Sequence, residues 1–448
     1  MKHLYVLLLF CTLAAEKKDV WVNIYIHGTI TPHLSMSDFL KVLNHTQKKS
    51  IYAEITRFIR TDPFFHQAQP IQELNLKKAF PTKSQKGHGA NIFAEFYDKI
   101  SKIIAPDNRE IKHYTFGWSG LLSNTSRRKS AQKLFEQLHR KLKKMEMQNL
   151  QPHVRIIGYS HGGTLALYLG DEAHKNRPFP FFVEELILIS TPIQEDTKKY
   201  VSSPLFKRVF SFYSKGDRVQ GSDFLSSPDY SFSHQKFLDK ADFKVPHKVT
   251  QIQIRFLRKN IYAKHPDGSI KKLHRRQYVN PGHTEMFFFG WAADWYRKHF
   301  PITPLPTALV LQLPIHHLKK QPIAGTDLRA TIIPEDETII IKDNQTKEEV
   351  AVPFFTKRQF ASLRRELGQF KPHNYREQYK EKVKEAKEKA KTIFKGKLRR
   401  KHRQRKLTET KKPLQAQPIV DPLDSTTLKN RSSKVVVHVS PKSSSQSH

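Results

Sequence analysis

The sequence contains one cysteine, Cys11, in 448 residues. It lies inside the apolar run from Leu4 to Ala15, so a chain trimmed near Ala14 or Ala15 retains no thiol. Disulfide frameworks, cysteine-based zinc sites and a cysteine nucleophile are then excluded. Long hydrophobic runs are missing too, because this segment falls short of the about 20 apolar residues that span a bilayer. With Lys2 before it, small residues at Thr12, Ala14 and Ala15, and charges from Glu16 onward, residues 1–15 read as a signal peptide. Export to the periplasm, envelope or medium is expected. Bulky Phe10 stands before Cys11, where a lipoprotein signal requires a small residue. Glycine and proline number only 17 and 26, which excludes a collagen-like or low-complexity chain. Acidic residues are outnumbered, 41 against 78 basic ones, giving a formal charge of +37. Such an excess attracts phosphates, anionic lipid headgroups and acidic polymers without naming one.

What remains is a patterned chain of two to three domains' length. From Val20 to about Phe300, apolar runs alternate with helical periodicity. The runs are Val20 to Ile26, Ile111 to Trp118, Val154 to Tyr159, Val183 to Ser190, Val209 to Tyr213 and Val249 to Leu257. Between them, Leu134, Leu138, Leu142 and Met145 mark one helix, and Gly163 to Ala173 reads as another. Strands alternating with helices predict an α/β fold with a doubly wound, mostly parallel sheet, whose ligands sit at the carboxyl ends of the strands. Residues 16–300 form this domain, with a long insertion at about 30–105 and a loop at about 218–248 of the length that lids have. Residues 301–370 read as a small β-rich appendage, with three short antiparallel strands at Arg329 to Pro334, Thr338 to Lys342 and Glu349 to Phe355. An aromatic helix is expected over Met286 to Tyr296.

Gly158-Tyr159-Ser160-His161-Gly162-Gly163 joins an apolar strand to a small-residue helix. This is the strand, sharp turn and helix that a nucleophile elbow requires, with glycines two positions either side of Ser160 avoiding a clash across the turn. A serine hydroxyl needs a base, so a downstream acid and histidine are sought. Asp217 follows the fifth strand; Glu195, Asp196 and Asp223 are alternatives. His283, in Asn280-Pro281-Gly282-His283-Thr284, follows the sixth strand, ahead of His265 and His274 as the base. Two N–H donors for an oxyanion are expected at His161, which opens the helix after Ser160, and at Thr29 in the loop after the first strand. His27 is expected to brace that loop.

These residues resemble the α/β-hydrolase superfamily, and within it the lipases and serine esterases. The resemblance rests on His27-Gly28, Tyr114 to Gly120, the Gly158 to Gly163 elbow, Gly216-Asp217 and Pro281-Gly282-His283, and covers roughly residues 19 to 300. It implies an eight-stranded sheet flanked by helices, and hydrolysis of an ester or lipid substrate without cofactor or metal through an acyl-enzyme at Ser160. The chain departs from the family pattern in starting almost at the oxyanion strand and in the length of its insertion. The same residues support acyl transfer to an alcohol or amine, and a noncatalytic surface-binding protein on a hydrolase scaffold is a further alternative.

Between Lys371 and Lys412 stand 18 Lys or Arg and 5 Glu, a net of +13. Tyr379, Val383, Ala386, Ala390 and Ile393 recur at steps of four and three, so residues 371–412 predict a basic helix with a thin apolar stripe. An anionic membrane or envelope surface is the partner expected of it; nucleic acid is not, since no recognition module accompanies the charge. Residues 413–448, rich in Ser, Pro and Lys, predict a disordered tail.

Overall fold

The β-branched and aromatic residues after Asp19 form β1 (Lys18–Ile26), which is buried on both faces, Val22, Ile24 and Ile26 on one and Asn23 and Tyr25 on the other. A strand buried on both faces needs cover from both sides. The structure, a computed structural model, describes residues 17–29, 51–62, 75–79, 89–106, 110–221, 232–258, 261–264, 270–273, 277–292, 296–320, 326–371 and 373–409. The expected signal peptide, the tail at 413–448, Asp223, His265 and His274 lie outside the described residues.

After β1 come α1 (Ile51–Thr61), β2 (Asn75–Lys78), α2 (Gly89–Ile104), β3 (Glu110–Gly117), α3 (Asn124–Glu146), β4 (Leu150–Tyr159), α4 (His161–Lys175) and β5 (Val183–Ile189). Then follow β6 (Phe206–Tyr213), β7 (Val249–Arg258), β8 (Ile261–Lys264), β9 (Ile270–Leu273), β10 (Gln277–Val279) and the short α5 (His283–Phe287). The chain continues through α6 (Gln312–Lys320), β11 (Asp327–Ile333), β12 (Thr338–Asp343), β13 (Glu349–Pro353), α7 (Lys357–Gly368) and α8 (Tyr375–Glu409).

Among the described residues, eleven strands form one sheet in the order β13-β12-β11-β7-β6-β5-β4-β1-β3-β2, with β10 also paired to β7. From β3 across to β11 every pairing is parallel. This is the doubly wound α/β class. α3 and α4 cover the face that carries Val22, Ile24 and Ile26, while α2, α6 and the segment between α5 and α6 cover the other. The chain leaves β1 for β3 on one side and returns to β4 on the other. The loops after β1 and β4 therefore open next to each other at the point of reversal, where such sheets bind ligands.

Three sequence expectations change in the fold. The strands of residues 301–370 are present, but they widen the main sheet instead of forming an appendage, and the eight strands implied by the resemblance become eleven. β11 pairs in parallel with β7, from Asp327 opposite Gln251 to Ile332 opposite Phe256. The reason is exposure: Ile252, Ile254 and Phe256 would make β7 an apolar edge, and Leu328, Ala330 and Ile332 join them in one buried cluster. The aromatic helix ends early, since α5 has five residues and Phe288 turns to extended backbone. The Gly290 N–H then bonds to the Pro304 carbonyl at 2.9 Å, which takes the chain off the helical path.

The third change concerns the basic helix. α8 forms, but Val383, Ala386 and Ala390 of its apolar stripe are buried with Ile55 and Ile59 of α1. Through Ala390 the stripe packs within the fold. By contacts the chain divides at residue 396, and the described part of residues 397–448 is the end of α8. No helix among the described residues is long and apolar enough to cross a membrane.

Candidate functional site

Ser160 sits between β4 and α4 with φ at 52°. A non-glycine residue in the left-handed region is strained, and such strain persists only where the surroundings impose it. Here the Ser160 N–H bonds to the Ile189 carbonyl at 2.9 Å, and the Gly163 N–H returns to the Ser160 carbonyl at 2.9 Å. A side chain on Gly158 would meet the Gly163 Cα at 2.6 Å, across the turn as expected. One on Gly162 would instead strike the Ile26 and His27 carbonyl oxygens at the end of β1. That glycine serves the close approach of the start of α4 to the end of β1.

The structure brings Ser160, His283 and Asp217 into one hydrogen-bonded line. His283 Nδ1 lies 2.8 Å from Asp217 Oδ2, and Nε2 lies 3.2 Å from Ser160 Oγ. A carboxylate only accepts, so Nδ1 carries the proton and Nε2 is free to accept from the hydroxyl. Asp217 is fully buried and the His283 side chain is 16% exposed. Burial acts to raise the Asp217 pKa, but the His283 charge and hydrogen bond, the Ser190 hydroxyl and the Gln220 N–H outweigh it and hold the pKa below the ordinary carboxylate value. A depressed folded-state pKa stabilises the fold above the unfolded-state value, and that contribution is lost as pH falls through the folded one. Urea unfolding at graded pH is therefore expected to show a shallower acid limb in Asp217→Ala than in the parent.

The alternative acids are placed elsewhere. Asp196 accepts from Asn124 Nδ2 at 2.7 Å and the Tyr168 hydroxyl at 2.8 Å, and Glu195 pairs with Lys198 and Lys240.

Several residues that hold this line were not anticipated from sequence. The Gln220 N–H donates to Asp217 Oδ1 at 3.1 Å, so Asp217 caps a helical turn with one oxygen and faces His283 with the other. Asp217-Arg218-Val219-Gln220 is a readable capping pattern. Gln235 Nε2 donates to the Asp217 carbonyl at 2.8 Å, and Ser233 and Phe237 are tied to Gln220 and Gln251. The described part of the 218–248 loop thus braces the acid, while residues 222–231 lie outside the described residues. Beneath the histidine, Glu285 Oε2 accepts from the Gly282 N–H at 2.7 Å and Oε1 from Arg297 Nε at 2.8 Å. Gly282-His283-Thr284-Glu285 carries the helix-start signal that would have found it. The Tyr159 hydroxyl donates to the His283 carbonyl at 2.9 Å. Burial, then Asp217 and Glu285, push the Tyr159 pKa well up, so it stays a neutral donor.

His161 is the first residue of α4, where a helix's opening N–H groups lack acceptors within the helix and the dipole favours negative charge. Across from it, His27 is 3% exposed, its ring stacks on Trp118, and its carbonyl accepts from Trp118 Nε1 at 2.8 Å. His27 is therefore a brace of the loop bearing Gly28 and Thr29. The Thr29 Oγ1 is buried without a hydrogen-bond partner. A Cβ on Gly28 would lie 2.8 Å from the Ser160 Cβ. Gly28→Ala is expected to displace the elbow and lower kcat/KM by about 100-fold, with a loss of about 1–3 kcal/mol in stability, read by kinetics and thermal unfolding together.

No protein family model matches the chain, and no curated protein sequence matches it. Among solved structures it is similar to one described as the "putative cell surface hydrolase from Lactobacillus plantarum WCFS1". The identity is 14%, over 46% of this chain and 70% of that one, with a TM-score of 0.20. A likeness that low carries no argument about fold or activity.

Proposed function

We propose that the protein is a serine hydrolase of carboxylic esters, lipase- or esterase-like, working through an acyl-enzyme at Ser160. The observation that carries this reading is the line Asp217, His283, Ser160 at the point of reversal of a parallel sheet, with hydrogen bonds of 2.8 and 3.2 Å. A buried carboxylate holds the imidazole in the tautomer that accepts a proton at Nε2.

In the proposed reaction Ser160 Oγ attacks the ester carbonyl carbon as its proton passes to His283 Nε2. The carbonyl oxygen takes up the electron pair, and the N–H groups of His161 and Thr29 stabilise that oxyanion. Collapse breaks the bond to the alcohol, which leaves with the proton from His283. Water then attacks the acyl-enzyme, gives one proton to His283, and the acid departs as Ser160 recovers its hydrogen. Asp217 keeps its charge throughout and stabilises the imidazolium. Export and contact with an anionic surface accompany this proposal as the setting for an ester or lipid substrate.

A fluorophosphonate probe tests the reading directly, because only an activated serine reacts with it. The parent protein is expected to label stoichiometrically at Ser160, found by peptide mass analysis. Labelling of His283→Ala is expected to fall by several orders of magnitude. An unlabelled parent would move the assignment to a noncatalytic binding protein.

A further inference from the structure

At the opposite end of the strands from Ser160, a cavity of about 560 Å³ opens between α2 and α6 over the sheet. Trp21 in the first half of β1 lines it, and Ile26 at the far end of that strand is five residues away, roughly 16 Å at the rise of a strand. The volume falls in the range of small-molecule sites. Nothing in the proposed reaction uses this cavity.

Its wall carries an unbalanced charge. Arg155 Nε donates to Glu185 Oε2 at 2.6 Å, and Lys319 Nζ lies 2.5 Å from Glu185 Oε1. The carboxylate is 2% exposed, and the two cations that share it are 12% and 28% exposed. Burial acts to raise the Glu185 pKa, yet Arg155 and Lys319 hold it below its ordinary value, so the carboxylate keeps its charge. The other ionisable groups facing the cavity do not cancel the excess. Asp98 is matched by Lys102 at 2.7 Å, and Lys320 adds a further cation. Burial lowers the pKa of His113, next to Asp98, against the pull of that carboxylate. Among the described residues, Arg155 and Lys319 share this single carboxylate, an excess of one positive charge at that wall, and a partly buried cation gains from an anionic partner.

The cavity also has an apolar extension. A neighbouring cleft of about 450 Å³ shares Ile104, His316 and Lys320 with it and is lined by Ile103, Leu313, Val352 and Phe354. The Arg155 guanidinium stacks 4.3 Å over the Trp21 ring at the charged end. A cationic pole beside an apolar trough matches one chemistry.

We propose that this cleft is a second binding site, for an amphiphilic anion whose carboxylate or phosphate head meets Arg155 and Lys319 while its alkyl body lies along Ile104, Leu313 and Phe354. Such a head supplies the missing negative charge, and the trough removes the alkyl chain from water. The site is independent of the chemistry at Ser160.

The test is isothermal titration of the full chain with octanoate, octyl phosphate, octanol and inorganic phosphate. Octanoate or octyl phosphate is expected to bind, and whichever binds tighter identifies the source as a free carboxylate or a lipid-type phosphate. Lys319→Met leaves the Arg155 and Glu185 pair intact and is expected to weaken that binding at least tenfold, whereas Lys319→Arg retains it. Ser160→Ala is expected to bind as the parent does. Octanol binding as tightly as the anions, inorganic phosphate matching octyl phosphate, unchanged binding in Lys319→Met, or no binding of either amphiphile would each overturn the proposal.

Discussion

Ester turnover by Ser160→Ala is expected to fall by on the order of 10⁵-fold, with the fold intact. The size follows from what the variant removes. Without Oγ there is no acyl-enzyme, so the remaining rate comes from binding and from the oxyanion donors acting on a direct attack by water. Stability should change little, since Ser160 Oγ makes a single 3.2 Å hydrogen bond to His283, whose ring stays partly exposed and keeps its bond to Asp217. Hydrolysis of p-nitrophenyl esters of graded acyl length measures the effect and identifies the preferred chain in the same series. Turnover at the parent rate would remove the nucleophile from Ser160 altogether.

Asp217→Asn is expected to lower kcat by about 10⁴-fold, roughly 5 kcal/mol of transition-state stabilisation. An amide in place of the carboxylate presents an N–H to His283 Nδ1, which then has to accept. The proton moves to Nε2, the atom that must take the hydrogen of Ser160. The charge that would stabilise the imidazolium is lost as well. Asp196→Asn is the matched control, because Asp196 is held by Asn124 and Tyr168 away from His283, and its turnover is expected to stay within a few-fold of the parent. The opposite ranking of the two variants would place the acid elsewhere.

The strands and the elbow were legible because their signals are local. β4 and α4 lie where an apolar β-branched run meets a small-residue helix, and the sharp turn between them needs glycine at Gly158. Asp217 and His283 were legible by position, each in a Gly-containing loop just past a strand. Their braces were only partly so. The Asp217 to Gln220 and Gly282 to Glu285 capping patterns are written in the chain, whereas Gln235 and Tyr159 reach the site from elements that carry no sign of it. The edge of the sheet was the weakest reading. β11 looks like any short antiparallel strand until β7 is seen to offer its apolar side. The stripe on α8 suffers the same ambiguity: an amphipathic helix shows the same periodicity whether its apolar face meets a bilayer or the Ile55 and Ile59 of α1.

The sequence by itself determined the α/β class, the elbow at Ser160 and the loops that carry Asp217 and His283, because backbone preference, turn sterics and hydrophobic period act over a few residues. Tertiary structure alone decided that the strands near the C-terminus widen the main sheet, that α8 buries its stripe, and that Arg155 and Lys319 share a single carboxylate. Each of those depends on a partner at least 30 residues away, where packing chooses between surfaces that look alike along the chain.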